Sequence, residues 1–225
     1  NGDSASHIDS TSTGTGSGTK IYRHMLNEEG DYYIKISNSR IFDENATITY
    51  RLISPDKNER NNTWKTATVL NEGIATEFNI PAENDVDYFK VTTSEPNQTL
   101  EVTLQIPSGG SVWYHLYSGE DYIENGDSAS HIDSTSTGTG SGTKIYRHML
   151  SEAGDYYIKI SNSSIFDDFA TINYKLIPPD DNEGNNTWRT ATVLNEGIDT
   201  EFNIPAENDV DYFKVTTSEP NQTLE

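Results

Sequence analysis

The sequence predicts an all-β protein: a jelly-roll-like β-sandwich, tandemly repeated with a period of 124 residues. Shifted by that period, residues 1–101 align with 125–225, and only 12 of the 101 pairs differ. Within each copy, short segments of alternating polar and apolar residues are separated by turns rich in Pro, Gly and Asn, and no helix longer than one turn is expected. A period close to the usual size of one domain, about 100–150 residues, indicates an array of whole domains.

The domain boundaries are predicted at two proline-containing junctions, Ser54-Pro55-Asp56 and Pro178-Pro179-Asp180. Proline ends strands and favours an extended link between domains. The chain then contains the C-terminal part of one repeat (1–55), one complete repeat (56–179) and the N-terminal part of the next (180–225). Such a chain resembles a window on a longer array.

The first copy begins with a Ser-, Thr- and Gly-rich stretch, Asn1–Lys20. We expect a long loop there, with a ligand-binding loop as the alternative. Three strands are then predicted, at Ile21–Leu26, Asp31–Ser37 and Ala46–Ile53, with a turn at Asn27–Gly30 between the first two.

The alternation in these strands predicts which side chains face inward. They are Ile34, Ile36, Ile48, Tyr50 and Leu52, together with their repeat equivalents. Differences between the copies fall on the opposite face, where Thr49 becomes Asn173 and Arg51 becomes Lys175. A solvent-exposed face tolerates such exchanges, which supports a period of two.

The complete repeat is predicted to open with a single helical turn over Thr63–Thr68. Asn62 is its expected N-cap, and Trp64 is its apolar anchor. Further strands are predicted at Glu77–Ile80, Asp87–Thr93, Thr99–Gln105 and Ser111–Tyr117. We expect about eight strands per unit, as in a jelly roll.

The charge of the chain argues against two classes of partner. It has 36 acidic and 15 basic residues, a net charge of -21 and a pI near 4.4. Phosphate backbones and anionic membrane surfaces repel such a chain, so nucleic acid is not an expected partner. No apolar run approaches the roughly 20 residues needed to span a bilayer, so membrane insertion is not expected either. Cysteine is absent, which excludes disulfides and thiolate metal sites.

Catalysis has little support in the sequence. His131, Asp133 and Ser134 lie close together and repeat His7, Asp9 and Ser10. A triad requires spatial geometry that proximity in sequence does not provide. His24 and His115 fall in predicted strands, where packed side chains are the more common role. No nucleophile-elbow, zincin or phosphate-cradling motif occurs, so we do not expect an enzyme.

Two acidic clusters in the complete repeat indicate a calcium site. Calcium takes six to eight oxygen ligands from carboxylates, Asn amides and backbone carbonyls, and these clusters supply that mixture without sulfur or histidine. Grouped carboxylates repel one another unless a cation is present. The alternative is a solvated acidic loop surface. The clusters comprise Asp56, Asn58, Glu59, Asn61 and Asn62, followed by Glu83, Asn84, Asp85 and Asp87.

Several motifs, taken in order, give the repeat a resemblance to a known family. NNTWKTATVL is followed by NDVDYFKV, LEVTLQIP, a V-W-Y-H-L-Y strand and EAGDYYIKIS. This order resembles the bacterial pre-peptidase C-terminal domain, a family that includes the collagen-binding domains of clostridial collagenases. The resemblance covers the whole repeat and implies a jelly-roll β-sandwich.

In the calcium-binding members of that family, the ligands come from the acidic opening segment and from the loop before the D-Y-F strand. The outer acidic position of the family is Lys57 in the complete repeat and Asp181 in the next. The resemblance therefore implies that the site near Asp56 is weaker than the site near Asp180, or that Asp56 turns inward. The implied ligands are Glu59, Asn61, Asn62, Asn84 and Asp87, and in the next copy Asp181, Glu183, Asn185, Asn186, Asn208 and Asp211.

Two functions remain open at this point. The first is a secreted or cell-surface stalk or fibre, expected of a Gram-positive-type bacterium given the lack of cysteine, in which calcium stiffens the inter-domain junctions. The second is a binding module, or adhesin, that presents aromatic strands to collagen, polysaccharide or another surface polymer. Near-identity of the copies favours the first function, because the length of a spacer depends on how many copies it contains and not on differences between them. Copies of the chain are also expected partners, since residues 1–55 of one could complete 180–225 of another by strand complementation.

Overall fold

The structure is a computed structural model that describes residues 8–12, 18–37, 45–138 and 140–225, apart from the side chain of Asp127. Nine strands between Thr68 and Ile177 form a β-sandwich of two sheets, which confirms the predicted fold class. The strands are β1 (Thr68–Val69), β2 (Thr76–Ile80), β3 (Val86–Thr93), β4 (Gln98–Ile106), β5 (Ser111–Ser118), β6 (Asp133–Ser136), β7 (Gly142–Leu150), β8 (Gly154–Ser164) and β9 (Phe166–Ile177).

One sheet has five strands in the order β1-β3-β8-β5-β6, and the other has four in the order β2-β9-β4-β7. All pairs are antiparallel except β1 with β3. Apart from β5 and β6, which share a sheet, successive strands alternate between the two sheets, as in a jelly roll. β6 and β7 each lie at an edge of their sheet, with a strand partner on one side only.

The core lies between the two sheets and is filled by the apolar face of each strand. Ile158, Ile160 and Ile172 are fully buried, Tyr174 is buried, and Leu176 packs at the margin. These are the repeat equivalents of five residues that were predicted to face inward, so the period of two is correct for the complete unit. Burial alternates along the strands because successive side chains point to opposite faces.

The same five positions in the first copy are exposed, which contradicts the prediction made for them. Ile34 is 70% exposed and Leu52 78%, and the described residues 18–37 and 45–55 contain no strand. The strands β3, β4 and β5 that cover the equivalents have no counterpart upstream of these residues within the 225. Without those partner strands, residues 18–37 and 45–55 can neither form the backbone hydrogen bonds of a sheet nor bury their apolar side chains.

The helical elements differ from expectation in three respects. The turn after Asn62 is a 3₁₀ helix over Trp64–Thr66, and its N-cap is Thr63, without a side-chain cap. A short helix absent from the prediction, α1 (Gly119–Asn125), follows β5 and leads into a 3₁₀ turn over Gly126–Ser128. Ser118 caps α1 by accepting a hydrogen bond from the Asp121 N–H.

The long loop predicted for Asn1–Lys20 recurs as 125–144 and contains the edge strand β6 in the complete unit. Its Ser and Thr side chains carry no apolar alternation, which is why no strand was predicted. Residues 1–7 and 13–17, including His7, lie outside the described residues. In the next copy, β10 (Thr192–Val193) and β11 (Phe213–Lys214) form a parallel pair that repeats the β1–β3 pairing. No helix in the described part of the chain is long and apolar enough to cross a membrane.

Candidate cation site

The acidic opening segment of the complete unit is held against β2 by one carboxylate. Asp56 is buried; its Oδ1 accepts from the Asn58 N–H at 2.6 Å and its Oδ2 from the Asn79 N–H at 3.0 Å. The Asn58 side-chain amide donates to the Glu77 carbonyl at 2.8 Å. Asp56 has therefore turned inward, one of the two outcomes considered for this position, and it acts as a hydrogen-bond acceptor for the backbone.

The same segment is tied to β3 by a backbone hydrogen bond. The Tyr88 N–H donates to the Asn61 carbonyl at 2.9 Å, which sets Asn61 beside the start of β3. Asp85 and Asp87 stand two residues apart there, so their side chains leave the strand on the same face. Both are 0% exposed. The fold thus brings the two acidic clusters together.

Few hydrogen bonds satisfy this cluster. The Asn61 amide lies close enough to Asp87 to favour its ionised form. Even so, within the described residues no hydrogen bond of normal geometry reaches the buried oxygens at the centre of the cluster. Buried polar groups are normally paired, so a set of this size makes the cluster a candidate cation site. These oxygens are both Oε of Glu59, Oδ1 of Asn61 and Asn62, and both Oδ of Asp85 and Asp87.

The electrostatics of the cluster show the cost of leaving it without a cation. Burial, followed by the nearby charges of Glu59 and Asp56, raises the pKa of Asp85 to about 8. Burial, followed by the charge of Asp85, raises the pKa of Asp87 well above its usual value. The pKa of Glu59 is also raised, chiefly by burial and then by Asp56. Each of these shifts reports a disfavoured negative charge.

The next copy repeats this arrangement in a more open form. Asp180 accepts from the Asn182 and Asn203 N–H groups, both at 2.7 Å. Burial, followed by Asp209 and Asp180, raises the pKa of Glu183 to about 7. The buried oxygens without a hydrogen bond are Oε1 of Glu183, Oδ1 of Asn185 and Asn186, and both Oδ of Asp209 and Asp211.

Three residues of the implied ligand set lie outside this cluster, and one pair omitted from that set lies inside it. Asn84 and Asn208 are exposed and bond to methionine backbone atoms, so they lie outside the cluster. Asp181 is exposed as well. The omitted pair is Asp85 and Asp209, both buried. Their spacing of two from Asp87 and Asp211 at the start of a strand was the available signal.

The chemistry of the cluster fits a hard cation. All its donors are carboxylate, amide or backbone oxygens, which calcium prefers. Across the described part of the chain, no three Asp, Glu or His side chains already converge as they would around a bound ion. A cation bound here would need Glu59, Asp85 and Asp87 to move closer together.

A second surface lies on the outer face of the five-stranded sheet. Tyr88, Tyr117, Tyr122 and Tyr157 form a small aromatic cluster beneath α1. Beyond its edge, Trp113 is 43% exposed and stacks on His115 with ring centroids 6.4 Å apart. Of the three Trp and Tyr side chains in β5, Trp113 alone is exposed, because Tyr114 and Tyr117 are buried.

Ser134 and His115 are adjacent on this surface without forming a triad with Asp133. Ser134 Oγ and His115 Nδ1 are 2.8 Å apart. The Asp133 carboxylate instead lies 3.0 Å from Nε2 of His148. Burial, followed by Lys159 and His131, lowers the pKa of His115. The carboxylate that would orient a catalytic histidine is thus engaged with a different ring.

Comparisons with known proteins give structural neighbours only. No family model and no curated protein matches the sequence. A pre-peptidase C-terminal domain of a collagenase from Bacillus anthracis has 8% identity and a TM-score of 0.34, covering 49% of this chain and 93% of that one. The carbohydrate-binding module CBM36, in complex with calcium and xylotriose, has 14% identity and a TM-score of 0.28, covering 47% and 92%. The g-type lysozyme inhibitor PliG of Aeromonas hydrophila has 12% identity and a TM-score of 0.33, covering 49% and 96%. At these identities and TM-scores the likeness extends to no functional property.

Proposed function

We propose that the protein is a non-catalytic, extracellular tandem-repeat protein that acts as a stalk or surface fibre and binds calcium at each acidic cluster. One observation carries this proposal: in the segment that follows each Pro-Asp junction, Glu59 and Glu183 have buried carboxylate oxygens to which no described residue donates a hydrogen bond. A cation shared by Glu59 in that segment and Asp87 in β3 would fix the junction to the body of the unit. Successive units would then be held at a defined angle, which a stalk requires.

Melting temperature measured with calcium and with chelator tests the calcium part. A ligand at 100 times its dissociation constant adds about 2.7 kcal/mol of stability. We therefore expect calcium to raise the melting temperature of the full chain and EDTA to lower it, with magnesium less effective because it prefers a tighter octahedral shell. Asp87→Asn should remove the calcium effect in the complete unit, and Asp211→Asn should remove it in the next.

The matched control is Glu83→Gln, which removes one charge from the same loop at an exposed position. It should leave the calcium effect unchanged. Equal melting curves with calcium and EDTA in the unaltered chain would leave a solvated acidic surface as the explanation. Electron microscopy of the native material tests the stalk itself: rods of regular beads are expected, and isolated globules would contradict it.

The second candidate function is a binding module, and Trp113 is the observation that favours it. A partly exposed Trp beside His115 offers a flat apolar surface with polar neighbours, suited to a sugar ring or a collagen strand. We expect quenching or a shift of tryptophan fluorescence on titration with soluble polysaccharide or collagen peptide if this function applies. Trp113→Ala should abolish the response, whereas Trp188→Ala, at an exposed site elsewhere, should preserve it.

Copies of the chain are proposed as partners through strand complementation. Residues 31–37 and 45–53 expose their alternating apolar side chains, as do Phe202 and Ile204 of the partial third copy. Pairing between two chains would bury both sets, although it lacks equivalents of β5 and of most of β4. Light scattering after size-exclusion chromatography tests this: a concentration-dependent dimer or longer oligomer is expected, and a monomer at all concentrations would contradict it.

A further inference from the structure

One contact occurs at both boundaries between repeats. The Met25 N–H donates to Oδ1 of Asn84 at 2.9 Å, and the Met149 N–H donates to Oδ1 of Asn208 at 2.9 Å. Both pairs are 59 residues apart, and each joins one repeat to the repeat after it. Recurrence at two independent places in the chain indicates a property of the repeat.

The position of Met149 explains why the contact forms. Met149 lies in β7, an edge strand of the four-stranded sheet, opposite Thr99 of β4. Edge strands present unpaired N–H and C=O groups. Asn208 satisfies both: its Oδ1 accepts from the Met149 N–H, and its Nδ2 donates to the Met149 carbonyl at 3.1 Å. The carboxamide thus takes the place of one residue of a neighbouring strand.

A second asparagine of the later repeat contacts the methionine side chain. Nδ2 of Asn186 lies 3.8 Å from Sδ of Met149, and Nδ2 of Asn62 lies 3.5 Å from Sδ of Met25. A thioether sulfur is a weak acceptor, so the amide nitrogen is the end that faces it. The opposite end of each amide, Oδ1, is buried in the acidic cluster. Asn186 therefore contacts the preceding unit with one end and the cluster of its own unit with the other.

We propose that consecutive repeats dock directly through a joint formed by Met149 of one unit with Asn186 and Asn208 of the next. The partner of this surface is a further copy of the repeat itself, and Met25 with Asn62 and Asn84 forms the equivalent joint one repeat earlier. The joint goes beyond the proposed function because its hydrogen bonds need no cation. It gives the array a direct contact between units in addition to the calcium-bound segment.

Amide hydrogen exchange of the full chain, followed by NMR, tests the joint at one atom. The Met149 backbone N–H points away from β4 and donates to Asn208 instead. The backbone N–H of the adjacent His148 points toward β4 and takes part in the β4–β7 pairing. Asn208→Ala should speed exchange at Met149 roughly tenfold and leave His148 protected. Asn208→Asp keeps an acceptor for the Met149 N–H and should retain most of the protection.

Asn195→Ala is the matched control, since Asn195 is an exposed residue of the same partial repeat whose side chain has no role in the joint. It should leave exchange at Met149 unchanged. Unchanged exchange at Met149 in Asn208→Ala, with the fold intact, would overturn the joint.

Each measurement is made with calcium and with EDTA. Protection at Met149 that persists in EDTA supports a joint independent of the cation, and protection lost in EDTA contradicts that independence. A failure of calcium to change the melting temperature would count against the calcium site alone.

Discussion

The Asp56 carboxylate and the Asn79 backbone N–H are joined by a hydrogen bond of 3.0 Å, and Asp180 and Asn203 repeat it at 2.7 Å. The bond ties the aspartate of each Pro-Asp junction to the segment that forms β2 in the complete unit. It is a direct contact within the chain, so the fold itself holds the opening segment on the sandwich. Calcium would then act on a segment that is partly ordered.

Asp56→Ala should destabilise the complete unit, because it leaves the Asn58 and Asn79 N–H groups without their acceptor. Asn79 is buried, so water cannot replace the lost bond there. We expect a loss of about 2 kcal/mol, within the usual penalty for a buried unsatisfied donor. Urea unfolding measures it, and Lys57→Ala at the exposed neighbouring position is the control. A loss below about 0.5 kcal/mol, typical of surface changes, would contradict the role given to Asp56.

Arg60 has a backbone conformation that favours glycine. Its φ is 101°, and at the equivalent position Gly184 has φ 97°. A side chain is strained in this region, whereas glycine enters it freely. Arg60→Gly should therefore stabilise the complete unit by about 1 kcal/mol, although the freer unfolded chain offsets part of that gain. Gly184→Arg should have the opposite effect, and chemical denaturation of the two variants tests the pair.

Tyr114 carries a buried hydroxyl without a hydrogen-bond partner in the described structure. Its ring is 0% exposed and stacks on Tyr146 with centroids 4.6 Å apart. Tyr114→Phe keeps the stacking and removes the unsatisfied hydroxyl, so stability should be unchanged or rise by up to about 1 kcal/mol. Tyr114→Ala should cost about 3–5 kcal/mol through loss of the ring. Thermal unfolding distinguishes the two, and a clear loss in Tyr114→Phe would indicate a partner for the hydroxyl.

One heptapeptide shows how far the sequence could predict the fold. Asp31–Ser37 and Asp155–Ser161 are identical in sequence, yet the second forms most of β8 and the first forms no strand. β8 pairs with β3 on one side and β5 on the other. The alternation correctly predicts the strand and its inward face where both partners are present. Strand formation depends on those partners, and a local pattern cannot report them.

The candidate site was predictable to a similar degree. Residue type alone indicates a hard-cation site, and the family resemblance names Glu59 and Asp87 among its ligands. Residue type could not separate Asn84 from Asp85, which are adjacent and both capable of ligation. Only the direction of each side chain at the start of β3 does so: Asp85 points into the cluster with Asp87, and Asn84 points to the preceding repeat.

The stability of the calcium-free chain should fall as pH rises from about 4 to 8. The pKa of Asp85 is raised from 3.8 to about 8 and that of Glu183 from 4.5 to about 7. Between the unfolded and folded values the folded state binds more protons, so the free energy of unfolding decreases with pH. Melting temperatures in EDTA at pH 5, 6.5 and 8, which span this window, measure it.

Calcium should flatten or reverse that trend, because it binds the ionised carboxylates and competes with protons for them. The control is the same series in magnesium, where a weaker effect is expected. Melting temperatures that rise with pH in EDTA would contradict the pKa shifts assigned to the cluster.

The effect of Asp85→Asn on the melting temperature should be opposite with and without calcium. This result would distinguish a cation site from an acidic surface that binds no ion. Without calcium the substitution replaces a carboxyl group whose ionisation is disfavoured by burial and by Glu59 and Asp56 with a neutral amide, so the melting temperature at pH 8 should rise. With calcium it removes a charged ligand; a tenfold weaker affinity reduces the calcium-dependent gain by about 1.4 kcal/mol. Glu83→Gln, at the exposed position of the same loop, should shift neither value. If Asp85→Asn shifts the melting temperature in the same direction in calcium and in EDTA, Asp85 does not bind a cation. The acidic cluster would then destabilise the fold without a ligand to offset its repulsion.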